Sequence, residues 1–294
     1  MASTSTIRDS KHQIGDKLNN AIMLLLCIIM LYPFWQTVVA SFMTESEYLT
    51  SRFKMIVTAP TLASYKQIFQ DGTIFIHLKV TFLITVIGTT VALFMTAYSA
   101  YGLSKPFKGS KIVMFLIVMT MFMNAGLIPD YMNYKELGLI NNFAVYIVPY
   151  MINTFYLIIM RSTFMEFPKE LEEAARIDGC NDFRIFFTIV LPLSKPILAA
   201  IGLFFMVSFW NTYMQSVFFI TDKELKTVQE YLQKMISSTQ DLEAVMLAES
   251  GEEGFNSETI RLANIVLVLL PIVTVYPFLQ KYFVNGIMMG SLKG

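Results

Sequence analysis

Six long apolar runs whose interiors hold no charged side chain constrain the fold of this chain more than any other feature. A helix needs roughly 20 mostly apolar residues to cross the hydrocarbon core of a bilayer. Lys79 and Lys281 lie near the ends of their runs, where a long side chain can reach the polar interface. The pattern therefore predicts an all-α, polytopic membrane protein whose six transmembrane helices cover residues 18–43, 78–103, 111–130, 142–160, 196–220 and 262–283.

The composition agrees with a membrane protein and argues against two other classes. Charged residues make up 15% of the 294 residues, whereas soluble domains carry about a quarter. The formal net charge is zero, so no basic surface for nucleic acid is indicated. The two histidines and two cysteines (His12, His77, Cys27 and Cys180) show no metal-ligand spacing, and we predict neither a metal site nor a disulfide.

The basic residues of the connecting segments predict the orientation of the chain. The tail 1–17, the short loop around 105–111 and the long loop 161–195 are rich in Lys and Arg, whereas segment 221–260 is acidic. Cytoplasmic loops carry an excess of Lys and Arg. We therefore expect a multi-pass protein of the cell membrane with both termini in the cytoplasm.

The absence of ionisable groups from the interiors of the predicted spans bears on the energy source. A charge inside the membrane costs at least about 2.5–3.5 kcal/mol, so it is kept only where function needs it. Ion-coupled carriers keep such groups as proton relays or cation ligands, although sodium sites can use carbonyls and hydroxyls instead. An ion-coupled secondary carrier is disfavoured but stays open, and the energy for transport is expected to enter through a cytoplasmic loop.

Loop 161–195 has the pattern of two short helices that meet at a glycine. Pro168 suits the first turn of a helix, and Gly179 suits the left-handed residue just past its end. Asp182 is placed to cap a second helix over residues 183–190, and Glu172 and Arg176 form an i,i+4 pair of opposite charge. From the residues alone, this loop is either a docking surface for another protein or a solvated connector.

A motif in this loop favours the docking surface. The loop contains Glu173-Ala174-Ala175, then Gly179 after three residues, Ile189 after nine more, and Leu191-Pro192 after one more. This pattern resembles the EAA loop of bacterial ABC import permeases. The resemblance implies a type I ABC importer fold in which the first loop helix is the coupling helix and docks on a cytoplasmic ATPase subunit. The residues that it assigns to this contact are Glu173, Ala174, Ala175 and Gly179, with Leu171 and Ile177 beside them.

The whole chain is similar to the smaller permease of maltose-type carbohydrate-uptake systems, in an oligosaccharide branch. The similarity includes the tail Gln280-Lys281-Tyr282-Phe283-Val284-Asn285-Gly286, and it implies that Asn285 and Gly286 reach the ATPase subunits. The implied partners are a companion permease, two ATPase subunits, an extracellular solute-binding protein, membrane lipid and an oligosaccharide. No G-x-x-x-x-G-K-[ST] phosphate loop occurs, so ATP and Mg are expected on the partner subunits, with no cofactor and no catalytic site in this chain.

The expected organisation has four parts: a cytoplasmic tail (1–17), the first span with an extracellular segment (18–76), the permease core (77–284) and a cytoplasmic tail (285–294). A sugar needs hydrogen-bonding groups and an aromatic face. Candidates along the substrate path are Asn124, Asn153, Tyr156, Trp210, Asn211 and Tyr213. Apart from the ion-coupled carrier, the alternative is an ABC permease for a solute other than a sugar.

Overall fold

Every regular element in the described part of the chain is a helix. The computed structural model describes residues 4–51, 55–123, 125–246 and 258–291. Short 3-10 helices lie at Phe143–Tyr146, Val148–Tyr150 and Lys223–Leu225, and a π-helix at Phe186–Val190. The α-helices are α1 (Thr4–Ala40), α2 (Glu45–Thr50), α3 (Ala63–Asp71), α4 (Thr73–Ser104), α5 (Ser110–Thr120), α6 (Leu127–Glu136), α7 (Thr154–Met165), α8 (Lys169–Ile177), α9 (Asp182–Ile185), α10 (Leu191–Leu193), α11 (Lys195–Trp210), α12 (Met214–Phe219), α13 (Val228–Met246) and α14 (Glu258–Ser291).

Among the described residues, three helices are long and apolar enough to cross a membrane: Asp16–Ala40, Thr73–Ser104 and Glu258–Val275. Two bent pairs of helices raise the number to five if each pair forms one span. These pairs are Phe143–Tyr150 with α7, bent by 46°, and Asp182–Leu193 with α11, bent by 86°. The all-α class is confirmed, whereas the count of six spans stays a prediction.

The helix bounds differ from the apolar runs at several points. The helix of the first run begins at Thr4 rather than near residue 18. The run 111–130 is divided, because α5 ends at Thr120 and Gly126, at φ +89°, precedes α6. The run 196–220 is likewise interrupted between α11 and α12. Hydropathy alone does not reveal these breaks, since the residues at each break are themselves apolar or uncharged.

The chain divides into two units, one of which joins Met1–Gly72 with Met235–Leu269. A small core at the end of α1 centres on Met43, which has no exposed surface. Two polar contacts hold the segment beyond it: Ser41 Oγ lies 2.7 Å from Tyr65 Oη, and Ser64 donates a hydrogen bond to Thr259 (3.1 Å). Most apolar side chains of α1 before this core are exposed, which leaves them to lipid or to another subunit.

The second unit joins Thr73–Lys234 with Leu270–Gly294, and α4 packs in it against both α7 and α11. Gly88 of α4 permits the close contact with α11, because a Cβ atom placed there would lie only 2.8 Å from the ring of Phe209. Phe209 is itself buried. Small residues let helix backbones approach closely in membranes, so this glycine sets the spacing of the two helices.

Substituting Gly88 is expected to destabilise this unit. In the Gly88→Ala variant the new methyl group must displace the buried Phe209 ring, and overpacking of this kind costs about 1–3 kcal/mol. The thermal unfolding temperature of the purified protein in detergent should therefore fall.

The matched control is Gly102→Ala, on the same helix, where a Cβ atom would meet nothing within 4 Å. Alanine is the better helix former by up to about 1 kcal/mol, so this variant should unfold at the wild-type temperature or above it. Equal unfolding temperatures for the two variants would contradict the proposed contact.

Candidate functional site

The loop between α7 and α11 begins with α8, whose ends are set by local sequence. Pro168 is the residue before the helix, and Glu170 and Glu172 occupy its first turn, near the positive end of the helix dipole. Gly179 adopts φ +80°, a left-handed conformation that glycine takes at little cost. The predicted left-handed glycine just past the end of this helix is confirmed.

The second helix of the loop is capped differently from the prediction. Asn181, rather than Asp182, is the cap, because its side-chain carbonyl accepts a hydrogen bond from the Arg184 N–H (2.9 Å). Asp182 instead pairs with Arg176 on the other side of the glycine. The predicted pair of Arg176 with Glu172 is thus replaced, and Glu172 pairs with Lys105, just beyond the end of α4. Sequence spacing identifies neighbours within one helix but gives no information on this distant partner.

The residues of the EAA-like motif lie on two different faces of α8. Ala175 is buried and packs in the core of the unit. Leu171, Glu173, Ala174 and Gly179 are exposed. Ile177, a large apolar side chain, is 86% exposed. Ala175 therefore attaches the helix to its own chain, while the other five residues assigned to the contact remain accessible to a partner.

A cavity of about 460 Å³ lies between the segment 146–156 and helices α11 and α12. It brings together three of the residues predicted for the substrate path, Asn153, Tyr156 and Asn211. Every side chain in its lining is uncharged at neutral pH, and several carry hydroxyl or amide groups. The lining residues are Tyr146, Pro149, Tyr150, Ile152, Asn153, Tyr156, Phe205, Val207, Ser208, Phe209, Asn211, Thr212 and Gln215.

The three predicted residues in this lining are held by local contacts. The Asn153 carbonyl caps α7 by accepting from the Tyr156 N–H (3.1 Å), and the Asn211 amide donates to the Val207 carbonyl (2.8 Å). The Tyr156 ring packs edge-on against Phe205, with centroids 4.9 Å apart. Each asparagine thus uses one half of its amide group in these contacts, and the aromatic ring is fixed in orientation.

The other predicted path residues are not brought to this cavity. Trp210 is buried, and neither it nor Tyr213 is part of the lining. Asn124 lies outside the described residues. Sequence reasoning missed Ser208, Thr212 and Gln215. A single helical period does not connect them, because Ser208 belongs to α11, Gln215 to α12 and Thr212 to the break between the two helices.

The C-terminal residues predicted to reach an ATPase, Asn285 and Gly286, belong to the backbone of α14, which continues to Ser291. The side chain of Asn285 lies outside the described part of the structure. The predicted boundary at residue 285 therefore falls inside a helix.

A buried carboxylate organises the segment that follows α12. Glu230 is 1% exposed, and its Oε1 lies 2.6 Å from the ammonium groups of both Lys226 and Lys234. Ser216 donates a hydrogen bond to the other oxygen. Burial raises the pKa of Glu230, but the hydrogen bonds from the two lysines and the serine outweigh it, so the pKa lies below its ordinary value. The sequence marks this segment as acidic, and the i,i+4 spacing of Lys226, Glu230 and Lys234 is the signal that could have revealed the cluster.

Comparison with known proteins identifies the family. The family model described as "Binding-protein-dependent transport system inner membrane component" matches residues 14–288. The chain belongs to this family. It is therefore a membrane transport component of the ABC type and not an enzyme.

Individual relatives agree with this assignment. The chain is 39% identical over 285 residues to the polygalacturonan/rhamnogalacturonan transport system permease protein YtcP of Bacillus subtilis, covering 97% of this chain and 100% of the relative. It is 38% identical to protein LplC of the same organism, with 90% of each chain covered. A crystal structure of a bacterial ABC transporter for the acidic polysaccharide alginate contains a chain with a TM-score of 0.84 and 30% identity. That match covers 93% of this chain and 98% of the other.

Glu230 supplies a prediction on stability. The Glu230→Gln variant leaves Lys226 and Lys234 facing a neutral group, and breaking a buried ion pair by removing one partner costs about 3–5 kcal/mol. Thermal unfolding in detergent at neutral pH should report the loss, whereas Glu224→Gln, at an exposed position of the same segment, should unfold like the wild type.

The same variant tests the lowered pKa. A carboxylate whose pKa is lowered by folding stabilises the protein at pH values above its pKa in the unfolded state. This contribution is lost as the pH falls through its pKa in the folded state. The difference in unfolding temperature between wild type and Glu230→Gln should therefore be largest at neutral pH and shrink below the ordinary value of 4.5. A difference that is constant down to acid pH would contradict this interpretation.

Proposed function

We propose that this chain is one of two membrane subunits of an ATP-driven importer that moves an oligosaccharide into the cell by alternating access. The observation that carries the proposal is the family match over residues 14–288, combined with an exposed loop helix that bears the EAA-like motif. A companion permease completes the path, two ATPase subunits bind ATP and Mg, and an extracellular solute-binding protein delivers the sugar.

The proposed topology has six spans, with α5 contributing to the third, and both termini in the cytoplasm. The basic residues of loop 161–195 support this orientation, because Lys and Arg concentrate in cytoplasmic loops. The acidic segment 221–260 then faces the outside, where the solute-binding protein docks.

The exposed side of α8 is the proposed contact with the ATPase. Leu171, Ala174 and Ile177 follow one another at three-residue spacing and are all exposed, so they form an apolar stripe. Exposed apolar patches with polar surroundings are typical of protein interfaces. Glu173 beside this stripe offers a carboxylate to a basic group of the ATPase, and Asn285 and Gly286 at the end of α14 add a second contact.

The cavity lined by Asn153, Tyr156 and Asn211 is the proposed contribution of this chain to the sugar path. Ligand sites combine an apolar or aromatic wall with a few fixed polar groups, and this lining has both. One relative is a permease of a polygalacturonan/rhamnogalacturonan transport system, and the solved transporter is involved in the import of alginate, which supports an oligosaccharide as substrate.

The coupling contact is tested by substitutions on the exposed side of α8. Ile177→Asp and Glu173→Lys should reduce copurification of the ATPase subunits from detergent and sugar uptake by at least about tenfold, because each places an unfavourable group in a desolvated contact. Glu170→Gln, an exposed change on the same helix, is the control. Normal ATPase binding and uptake in both variants would rule out this contact.

The cavity is tested with Tyr156→Leu, which keeps an apolar side chain but removes the ring and its hydroxyl. Loss of an aromatic contact worth about 1.5 kcal/mol should lower sugar uptake into proteoliposomes by about tenfold. Phe115→Leu removes an exposed ring outside the lining and should leave uptake unchanged. Equal uptake by the two variants would argue against a sugar at this cavity.

The substrate class is tested on the reconstituted complex with labelled solutes: fragments of polygalacturonan and alginate, a neutral maltooligosaccharide, and an amino acid. ATP-dependent uptake of an oligosaccharide supports the proposal. Uptake of the amino acid alone would establish the alternative solute class, and uphill transport driven by an ion gradient without ATPase would establish a secondary carrier.

A further inference from the structure

Glu173, the first residue of the EAA-like motif, and Glu172, the residue before it, have different surroundings. Glu173 is exposed, whereas Glu172 is half-buried and pairs with Lys105 at the end of α4. The Lys105 ammonium also lies 4.3 Å from the ring centroid of Tyr101, a buried residue in the last turn of α4. A cation over an aromatic face is an attractive arrangement. The lysine is therefore held from two sides, by the loop helix and by the span.

Aromatic rings connect the rest of the loop to the same end of α4. Phe186, which has no exposed surface, lies 5.3 Å from Tyr98 and 5.4 Å from Tyr101 between ring centroids. Phe187 and Phe94 lie 6.1 Å apart. Aromatic pairs at 4.5–7 Å attract one another, so α4 and the loop share one packed contact.

A third contact fixes the end of α7, where the loop begins. Arg161 Nε donates a hydrogen bond of 2.8 Å to the carbonyl of Leu103. This carbonyl belongs to the last turn of α4, whose final acceptors have no partner within the helix. The two segments that border α8 are thus both joined to α4.

The other end of α4 holds the segment after α12. Thr81 Oγ1 accepts a hydrogen bond from the Val228 N–H (2.9 Å), and His77 Nδ1 lies 3.0 Å from the Lys226 carbonyl. Between its two ends α4 contains 32 residues and no proline, which corresponds to about 48 Å at 1.5 Å per residue. A displacement of one end is therefore passed to the other by an unbroken helix.

We infer that Glu172 and Lys105 are positioning residues that transmit the movement of α8 to α4 during transport. This inference rests on the proposed function, in which the ATPase displaces α8. Apolar contacts such as those of Phe186 keep two elements together but tolerate sliding. A charge pair at a defined point fixes their register, so α4 follows α8 instead of slipping past it.

The inference is tested on the complete complex in proteoliposomes, by the amount of sugar imported for each ATP hydrolysed. Lys105→Met and Glu172→Gln each remove one charge of the pair. Both variants should copurify with the ATPase and hydrolyse ATP. The ratio of sugar to ATP should nevertheless fall at least about fivefold, because coupling between distant sites typically changes an equilibrium by a factor of five or more. Lys105→Arg, which retains the charge, should keep the wild-type ratio.

The double variant Lys105→Met/Glu172→Gln separates transmission from a general loss of structure. Both changes remove the same interaction, so its ratio should fall no further than in the single variants. The control variants Lys108→Met and Glu170→Gln remove exposed charges of the same region. They should leave the ratio of sugar to ATP unchanged. Wild-type ratios in the single variants, or losses that add in the double variant, would overturn the inference.

The outcomes distinguish the inference from the proposed function. If the wild-type chain neither copurifies with an ATPase nor imports sugar, the proposed function fails. If the wild type imports sugar and the variants of Lys105 and Glu172 remain fully coupled, only the inference fails. If the single variants assemble poorly, the test uses Lys105→Arg and the double variant. A wild-type ratio of sugar to ATP in Lys105→Arg, with a reduced ratio in the double variant, supports the inference. Equal ratios in these two variants overturn it.

Discussion

Close packing of α4 against α7 and α11 is the contact on which the rest of the described core depends. It requires Gly88, because any side chain there would enter the space of the Phe209 ring. In lipid, helices gain little from burying apolar surface against one another, so close van der Waals packing becomes the main source of association. The cavity lies beside this contact, since Phe205 and Phe209 of α11 belong both to the packed face and to the lining.

One short helix of loop 161–195, α8, both packs against its own chain and presents an accessible apolar side. Ala175 is small enough to pack into the core, while Ile177 on the accessible side is left almost fully exposed. A helix that is buried on one side and apolar on the other is unusual in a solvated connector. It is expected where a second protein covers the exposed side, as in a transporter whose motor is a separate subunit.

The sequence was sufficient for the fold class and for the motif, but not for the geometry of the site. Gly179 was correctly predicted to end α8, because a left-handed residue follows directly from local chemistry. The pairing of Glu172 with Arg176 was wrong, because its partner Lys105 is 67 residues away in the sequence. Asn153, Tyr156 and Asn211 were found as polar or aromatic residues in apolar runs. The lining residues Ser208, Thr212 and Gln215 were missed, because they come from two helices and the break between them, which hydropathy does not reveal.

The sequence by itself determined that this chain is a helical membrane protein and that loop 161–195 carries the EAA-like motif. Hydropathy and motif spacing are local properties of the chain, so they can be read without the tertiary structure. Tertiary structure alone decided which side of α8 is accessible, which path residues meet at a cavity and that Glu230 is buried against Ser216. These outcomes depend on contacts between elements that are distant in the sequence, such as Gly88 against Phe209, which no local pattern encodes.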